Sequence, residues 1–296
     1  MFQRLTTGIG LSLATVLSLS ATAQAASFQS NVSQKNNSEA DIELQSIGQN
    51  GTTFSNFNLV NRATVLYNSP ITPTANVVNT SNPENVPSGA VNNNSGAAST
   101  DKGDKATAPL PVSGMNNPTG NEVAAYLGNT NLNNIIDTED RGSFSMNVFF
   151  ANDIHADNTG LDNLFFWERG MNSSLGIQAI DKAGNLLGNF FKLTKDAQVA
   201  AGYSIDTMEI GGAQDVGTWG VNLLKDLGVN SAAGVRIMTN YSYNANGVGS
   251  VVNQNDNGPD FKVMARQSVP EPATLAGLGL VAGALGVSRR RQVRKA

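Results

Sequence analysis

The chain contains no cysteine and a single histidine, His155. Without cysteine there is no disulfide framework, thiolate metal site, haem-attachment motif or Cys nucleophile. With one histidine a His-rich zinc or copper centre cannot form within one chain, and a His-dependent triad has one candidate base. Charged residues make up only 14% of the 296 positions. The only dense basic run lies at the extreme C-terminus. The rest of the chain has no Lys/Arg patch with which to displace counterions, which excludes nucleic-acid binding. Neither a G-x-S-x-G elbow nor a P-loop occurs. Asp and Glu are plentiful, but no pair stands out for glycoside hydrolysis, which needs two carboxylates facing across a cleft. No catalytic constellation emerges, and the expectation is a non-enzyme.

What is present is Gly (30 residues), Asn, Ser and Thr, in short runs that alternate apolar and polar residues between turn signals. Phe144, Met146, Val148 and Phe150 fall on one face of such a run, with Ser145, Asn147 and Phe149 on the other. Leu175, Ile177 and Ala179 alternate into Asp181-Lys182-Ala183-Gly184-Asn185, a hairpin loop, and Leu186 to Leu193 returns. Trp219 to Leu223, Val235 to Tyr243 and Phe261 to Ala265 repeat the pattern. Asn50-Gly51 between Asp41–Ile47 and Phe54–Leu66 marks a first hairpin. Period-two runs of this kind predict an all-β fold, a jelly-roll-like β-sandwich forming a single domain. Glu122 to Leu127 reads as a short helix or strand, and Phe28 to Asn37 as an exposed arm. Residues 69–120 carry seven prolines and polar clusters, and read as a long disordered loop.

The two ends differ from this middle. Arg4, the apolar core Ile9 to Leu19 and the A-x-A site Ala23-Gln24-Ala25 form a secretory signal peptide over 1–25, with cleavage before Ala26. At the other end stand Val269-Pro270-Glu271-Pro272, an apolar Gly-rich stretch 273–287, then Ser288-Arg289-Arg290-Arg291. The prolines hold the acidic motif extended. The apolar stretch is 15 residues, against about 20 for a stable span, and its four glycines are poor helix formers. Arg289, Arg290 and Arg291 keep the tail end cytoplasmic by the positive-inside rule. A weak, short transmembrane segment suits a tail that is removed. The exported domain is then 26–268. Removal of both ends takes 19 basic and 23 acidic residues to 13 and 22, so the charge moves from −4 to −9.

The tail over 269–296 resembles the PEP-CTERM sorting signal of Gram-negative bacteria. That resemblance implies recognition and cutting by exosortase, an integral-membrane cysteine protease. More weakly, Leu127-Gly128-Asn129, Ile135 to Asp140, Asn163 to Asn172 and Asn257 to Lys262 look like a group of exosortase-dependent surface proteins defined by sequence and sorting tail. No biochemical activity comes with that likeness. The implied route is Sec-type export, transient retention in the inner membrane through the tail, cutting by exosortase, and delivery to the cell surface or extracellular matrix.

Several local clusters invite chemistry. Asp153, Asp157 and Asp162 lie in an oxygen-rich, Gly-containing run that would suit a structural calcium ion, though without EF-hand spacing. Asp256 to Asp260, and Asp137-Thr138-Glu139-Asp140, read as two further acidic turns. Otherwise no cofactor is expected. Phe165, Phe166 and Trp167 would form a sugar-stacking platform if exposed, but suit a core better. Glu168 and Arg169 are adjacent, so on a strand they point to opposite faces; one of them in a structural ion pair is the better expectation. The resulting reading is a structural or adhesive surface protein. The alternatives are a calcium-assisted, lectin-like carbohydrate-binding module, with extracellular polysaccharide as the candidate ligand, and a polysaccharide hydrolase.

Overall fold

The computed structural model of the chain describes residues 28–71, 95–111, 117–139, 142–207, 212–239, 241–243, 249–251 and 258–267. The strands in chain order are β1 (Gln29–Val32), β2 (Leu44–Gln49), β3 (Thr52–Phe54), β4 (Phe57–Asn58), β5 (Val60–Asn68) and β6 (Ala98–Lys102). A helix, α1 (Gly120–Leu127), precedes β7 (Asn134–Thr138), β8 (Phe144–His155), β9 (Leu164–Arg169), β10 (Leu175–Ile180) and β11 (Leu186–Leu193). Then come β12 (Val199–Ile205), β13 (Gln214–Val221), β14 (Ser231–Met238), β15 (Tyr241–Tyr243), β16 (Gly249–Val251) and β17 (Asp260–Arg266).

Two large antiparallel sheets pack face to face, as the alternating runs predict. One has the order β11-β10-β14-β8-β5; the other runs β12-β13-β9-β17-β7-β6, with β4 also on β17. Phe144, Met146, Val148 and Phe150 of β8 enter the core between the sheets, where they meet Phe166 of β9, Trp219 of β13 and Phe261 of β17. The rings of Phe144 and Phe261 stack across the interface at 5.9 Å. Phe149, on the opposite face of β8, belongs to a separate small cluster with Ile180.

A third layer covers the outer face of the β9-containing sheet. It is the small sheet β1-β2-β3, whose Ile42, Leu44 and Ile47 region packs on Phe165, Trp167 and Met264. Strand β9 is therefore buried on both faces. This accounts for the unbroken apolar run Leu164 to Trp167, which a one-sided strand would interrupt with polar residues.

Both hairpin readings hold. Asn50 and Gly51 have φ of 51° and 76°, the left-handed pair that a two-residue hairpin turn requires, and they join β2 to β3. Beyond Phe54 the expected single arm divides: β3 ends, and β5 crosses to the other large sheet. Asp181 closes the β10–β11 loop by accepting from the N–H groups of Ala183 and Asn185, each at 2.9 Å.

Three local expectations are corrected. Phe28 to Asn37 is not a free arm: Phe28 is buried edge-on against Phe165 and Trp167 at 4.8 and 5.4 Å, and β1 pairs with β2. Within 69–120, Ala98–Lys102 is a fully buried strand. Its residues are small or polar, so no hydrophobic signal marks it. Asp137 and Thr138 are not an acidic turn but the end of β7. The ambiguous segment 122–127 is helical. The Glu122 carboxylate accepts from the Thr119 N–H at 2.6 Å, which satisfies an otherwise orphaned donor. Gly120 is needed because a Cβ there would lie 2.1 Å from the Ala63 carbonyl oxygen of β5.

Among the described residues no helix is long and apolar enough to cross a membrane. The signal peptide, with Ala23, Ala25 and Ala26, lies outside the described residues. So do Val269, Pro270, Glu271, Pro272, the stretch 273–287 and Arg289 to Arg291.

If Phe28 anchors the third layer, Phe28→Ala should cost about 3 kcal/mol in denaturant unfolding, the size expected for a deleted buried ring. A free arm would give no change.

Candidate functional site: a buried arginine among three aspartates

Alternation along β9 sends Phe166 and Glu168 toward the sandwich interior and Phe165, Trp167 and Arg169 toward the outer face, as the core memberships of the aromatic residues show. Glu168 and Arg169 thus occupy different environments, and the rule that adjacent residues diverge holds. Arg169 is opposite Asp260 of β17 in the ladder. Strand β7 flanks β17 and brings Asp137; β6 flanks β7 and brings Asp101.

The Arg169 guanidinium donates to Asp260 Oδ2 through Nε and Nη2, at 3.0 and 2.7 Å. Nη2 also donates to Asp137 Oδ1 at 2.7 Å, and Nη1 lies 3.7 Å from Asp101 Oδ2. Nη1 further contacts the Thr207 hydroxyl. Among the described residues Asp101 Oδ2 accepts no hydrogen bond, while other carboxylate oxygens of the cluster are held by the backbone. Asp260 Oδ1 accepts from the Thr138 N–H at 2.9 Å, and Asp101 Oδ1 from the Lys102 N–H at 2.7 Å. All four charged side chains are buried, with residue exposures between 1 and 7%.

One cation faces three carboxylates. Burial pushes the Asp101 carboxyl up to about 7, reinforced by Asp137 and opposed by Arg169. Burial likewise raises Asp260 well above the carboxylate range, against the pull of Arg169. Burial disfavours the Arg169 charge, but Asp260, Asp137 and Asp101 outweigh it and hold its proton more tightly than usual. The cluster relieves its excess negative charge by taking up protons. Sealed from solvent, it offers no reacting group to a substrate. It joins four neighbouring strands through one side chain.

On the inner face, Glu168 is also fully buried. Gln198 Nε2 donates to its Oε2 at 3.0 Å. Burial raises its carboxyl to about 8, and the bonds from Gln198 and the Met171 and Asn172 backbone only partly offset this.

The three aspartates nominated for calcium are each engaged separately. Asp153 pairs with Lys182 at 3.1 Å. Asp157 is held by Thr159 and Arg266; burial opposes its charge, but these hydrogen bonds outweigh it and lower its pKa. Asp162 exchanges two hydrogen bonds with the Gln49 amide, at 2.6 and 2.9 Å, and burial raises its carboxyl to about 6. Among the described residues no group of three or more His, Cys, Asp or Glu side chains could hold a metal ion. Phe165, Phe166 and Trp167 are core residues, so they present no sugar-stacking platform. Of the second acidic turn, Asp260 became a ligand of Arg169; Asp256 and Asn257 lie outside the described residues. Of the third, Asp137 did the same.

An open groove of about 740 Å³ runs along β5 and β8, lined in part by Arg62, Phe149, Asp153, His155 and Lys182. Arg62 lies over the Phe149 ring, 3.4 Å from its centroid. Among the described residues Asp153 is the single carboxylate in its lining, and they place no facing acid pair for glycoside hydrolysis there.

Sequence reasoning placed one of Glu168 and Arg169 in an ion pair without saying which, and missed the set of partners around Arg169. Asp101 sits in the stretch read as a loop, and the contacts to Asp137 and Asp260 span 32 and 91 residues. The residue types in β6 were the one available signal: alternation of Ser99 and Asp101 with small Ala98 and Thr100.

Removing the cation while leaving the carboxylates should be costly. Arg169→Met is expected to lose about 3–5 kcal/mol of stability at neutral pH, read by denaturant unfolding, and to lose less at pH 4, where the Asp101 carboxyl, raised to about 7, is protonated. Glu168 yields a second test. Its folded pKa, about 8, lies above its ordinary value of 4.5. Between these values the folded chain holds a proton that the unfolded chain has lost, so stability declines as pH rises through this window. The group contributes up to about 1.4 kcal/mol per pH unit. Glu168→Gln should flatten the fall in melting temperature between pH 5 and 8; an unchanged slope would refute the assignment.

No curated protein and no solved structure matches the chain. Residues 268–292 match the family model of the PEP-CTERM protein-sorting motif. This agrees with the order of acidic Pro-flanked motif, apolar stretch and basic cluster in the tail. The C-terminal tail therefore carries a PEP-CTERM sorting motif, and the motif implies export and exosortase-dependent delivery toward the cell surface through a membrane-held intermediate.

Proposed function

We propose that the protein is a structural or adhesive component of the cell surface or extracellular matrix, and that it is not an enzyme. The observation that carries this reading is the sorting motif at 268–292 immediately after β17. In this reading a signal peptide ending at Ala25 takes the chain through Sec-type export machinery. The apolar stretch 273–287 holds it in the inner membrane, and exosortase cuts near Pro270-Glu271-Pro272. Contact with extracellular polysaccharide would follow from where the product is delivered.

The character of the passenger supports a scaffold role. Its most concentrated charge is spent on tying strands together, and its large aromatics are spent on the core. Several carboxyls with raised pKa values, Asp101 and Glu168 among them, are explained by burial without a substrate. Perturbed groups mark active sites only when a cleft exposes them.

Mass spectrometry of the protein recovered from the native surface fraction tests the reading. The expected product begins at Ala26 and lacks the stretch 273–287. Recovery of Met1, or of the intact tail in a soluble cytosolic form, would overturn it.

A further inference from the structure

Lys262 is fully buried on β17. Its Nζ contacts the Tyr126 carbonyl oxygen in the last turn of α1 and lies 2.9 Å from Asn129 Oδ1. A cation at a helix C-terminus is ordinarily a cap. Burial, however, drives the Lys262 pKa well below its ordinary value, only partly opposed by the charge of Glu43. A desolvated, uncharged lysine amine is a nucleophile.

The group beside it is set up as an electrophile. Asn129 Oδ1 also accepts from the Asn131 N–H at 3.0 Å, with Asn134 Nδ2 at 3.5 Å. Donors on a carbonyl oxygen polarise it and stabilise the negative charge that forms there when its carbon is attacked. Asn129 Nδ2 is fixed by the Ala125 carbonyl at 2.9 Å, so the amide cannot rotate freely. The Glu43 carboxylate, held by the Thr130 hydroxyl at 2.6 Å, acts on Lys262 electrostatically and favours its charged form. The chain thus brings an amine from β17 against a polarised carboxamide from the loop after α1, within the field of a carboxylate on the residue before β2.

We propose that Lys262 and Asn129 become joined by an intramolecular isopeptide bond, with Glu43 as the proton carrier. The Lys262 Nζ attacks Asn129 Cγ, forming a C–N bond. One amine proton passes through Glu43 to Nδ2, the Cγ–Nδ2 bond breaks, and ammonia leaves. Atoms and charge balance, and no oxidant or reductant is required. The bond ties the end of α1 to the strand that leads into the C-terminal tail. It depends on the fold and not on the export reading, so either can fail alone.

Peptide mapping of the denatured full-length chain tests the proposal directly. The expected result is a branched peptide joining the Asn129 and Lys262 segments, with a mass equal to the two linear peptides less one ammonia. A lysine-specific protease should also fail to cut after Lys262. Lys262→Arg keeps a donor to Tyr126 but removes the nucleophile, and should yield only linear peptides. Glu43→Gln keeps Lys262 and should lower the branched yield by about tenfold or more. Recovery of both segments of the unaltered chain as linear peptides of full mass would overturn the proposal, and Lys262 would then be a helix cap. Full cross-linking in Glu43→Gln would overturn the role of Glu43.

Discussion

Burial of the β9-containing sheet on both faces is the constraint to which the other features of this fold answer. A sheet with one wet face can place its charges there. Here the inner face meets the opposing sheet and the outer face meets the β1-β2-β3 layer, so each charged side chain between them must find a partner inside. Arg169 does so with three carboxylates, Lys262 with a carbonyl and an amide, and Glu168 with Gln198 and backbone N–H groups. These are three local solutions to one problem. They differ in what is left over: three carboxyls for one cation at Arg169, a raised carboxyl at Glu168 and, at Lys262, an amine whose charge burial disfavours.

The same constraint explains what could be read from the sequence. Where a strand is apolar on the core side and polar outside, alternation reveals it, and β8, β10, β13, β14 and β17 were all legible in this way. The Asn50-Gly51 and Asp181–Asn185 turns were legible because their chemistry is local. Strand β6 was not. Ala98-Ser-Thr-Asp-Lys102 is buried through polar contacts made by distant strands, so its composition matches that of a loop. The arm at Phe28 failed for a related reason. One aromatic residue anchors it against β9, and the polar residues that follow dominate its composition.

The charged cluster was legible in part. The sequence located Asp137, Asp260 and Arg169 in three separate segments, and strand alternation correctly kept Glu168 apart from Arg169. Assembly of the three requires the order β9-β17-β7-β6, and pairing between strands so far apart leaves no mark in a single sequence. The calcium candidates show the converse. Asp153, Asp157 and Asp162 are close along the chain, yet Lys182, Arg266 and Gln49 draw them in different directions. Sequence proximity exaggerated one cluster and concealed another.

Ion clusters of this type often contribute less stability than a well-packed apolar replacement would, so their retention calls for another advantage. In this sheet that advantage is register. Asp260 lies opposite Arg169, and Phe261 next to it belongs to the inner core. A slip of β17 by one residue would send Asp260 into the apolar interior and Phe261 out among the charges. An all-apolar β17 would pay little for such a slip, because both faces of the sheet are hydrophobic. The salt bridge penalises it heavily, and does so at the strand joined to the sorting motif. An exported chain held by its C-terminal segment meets any pull first through β17, so a strand whose alignment is fixed by charge suits that position.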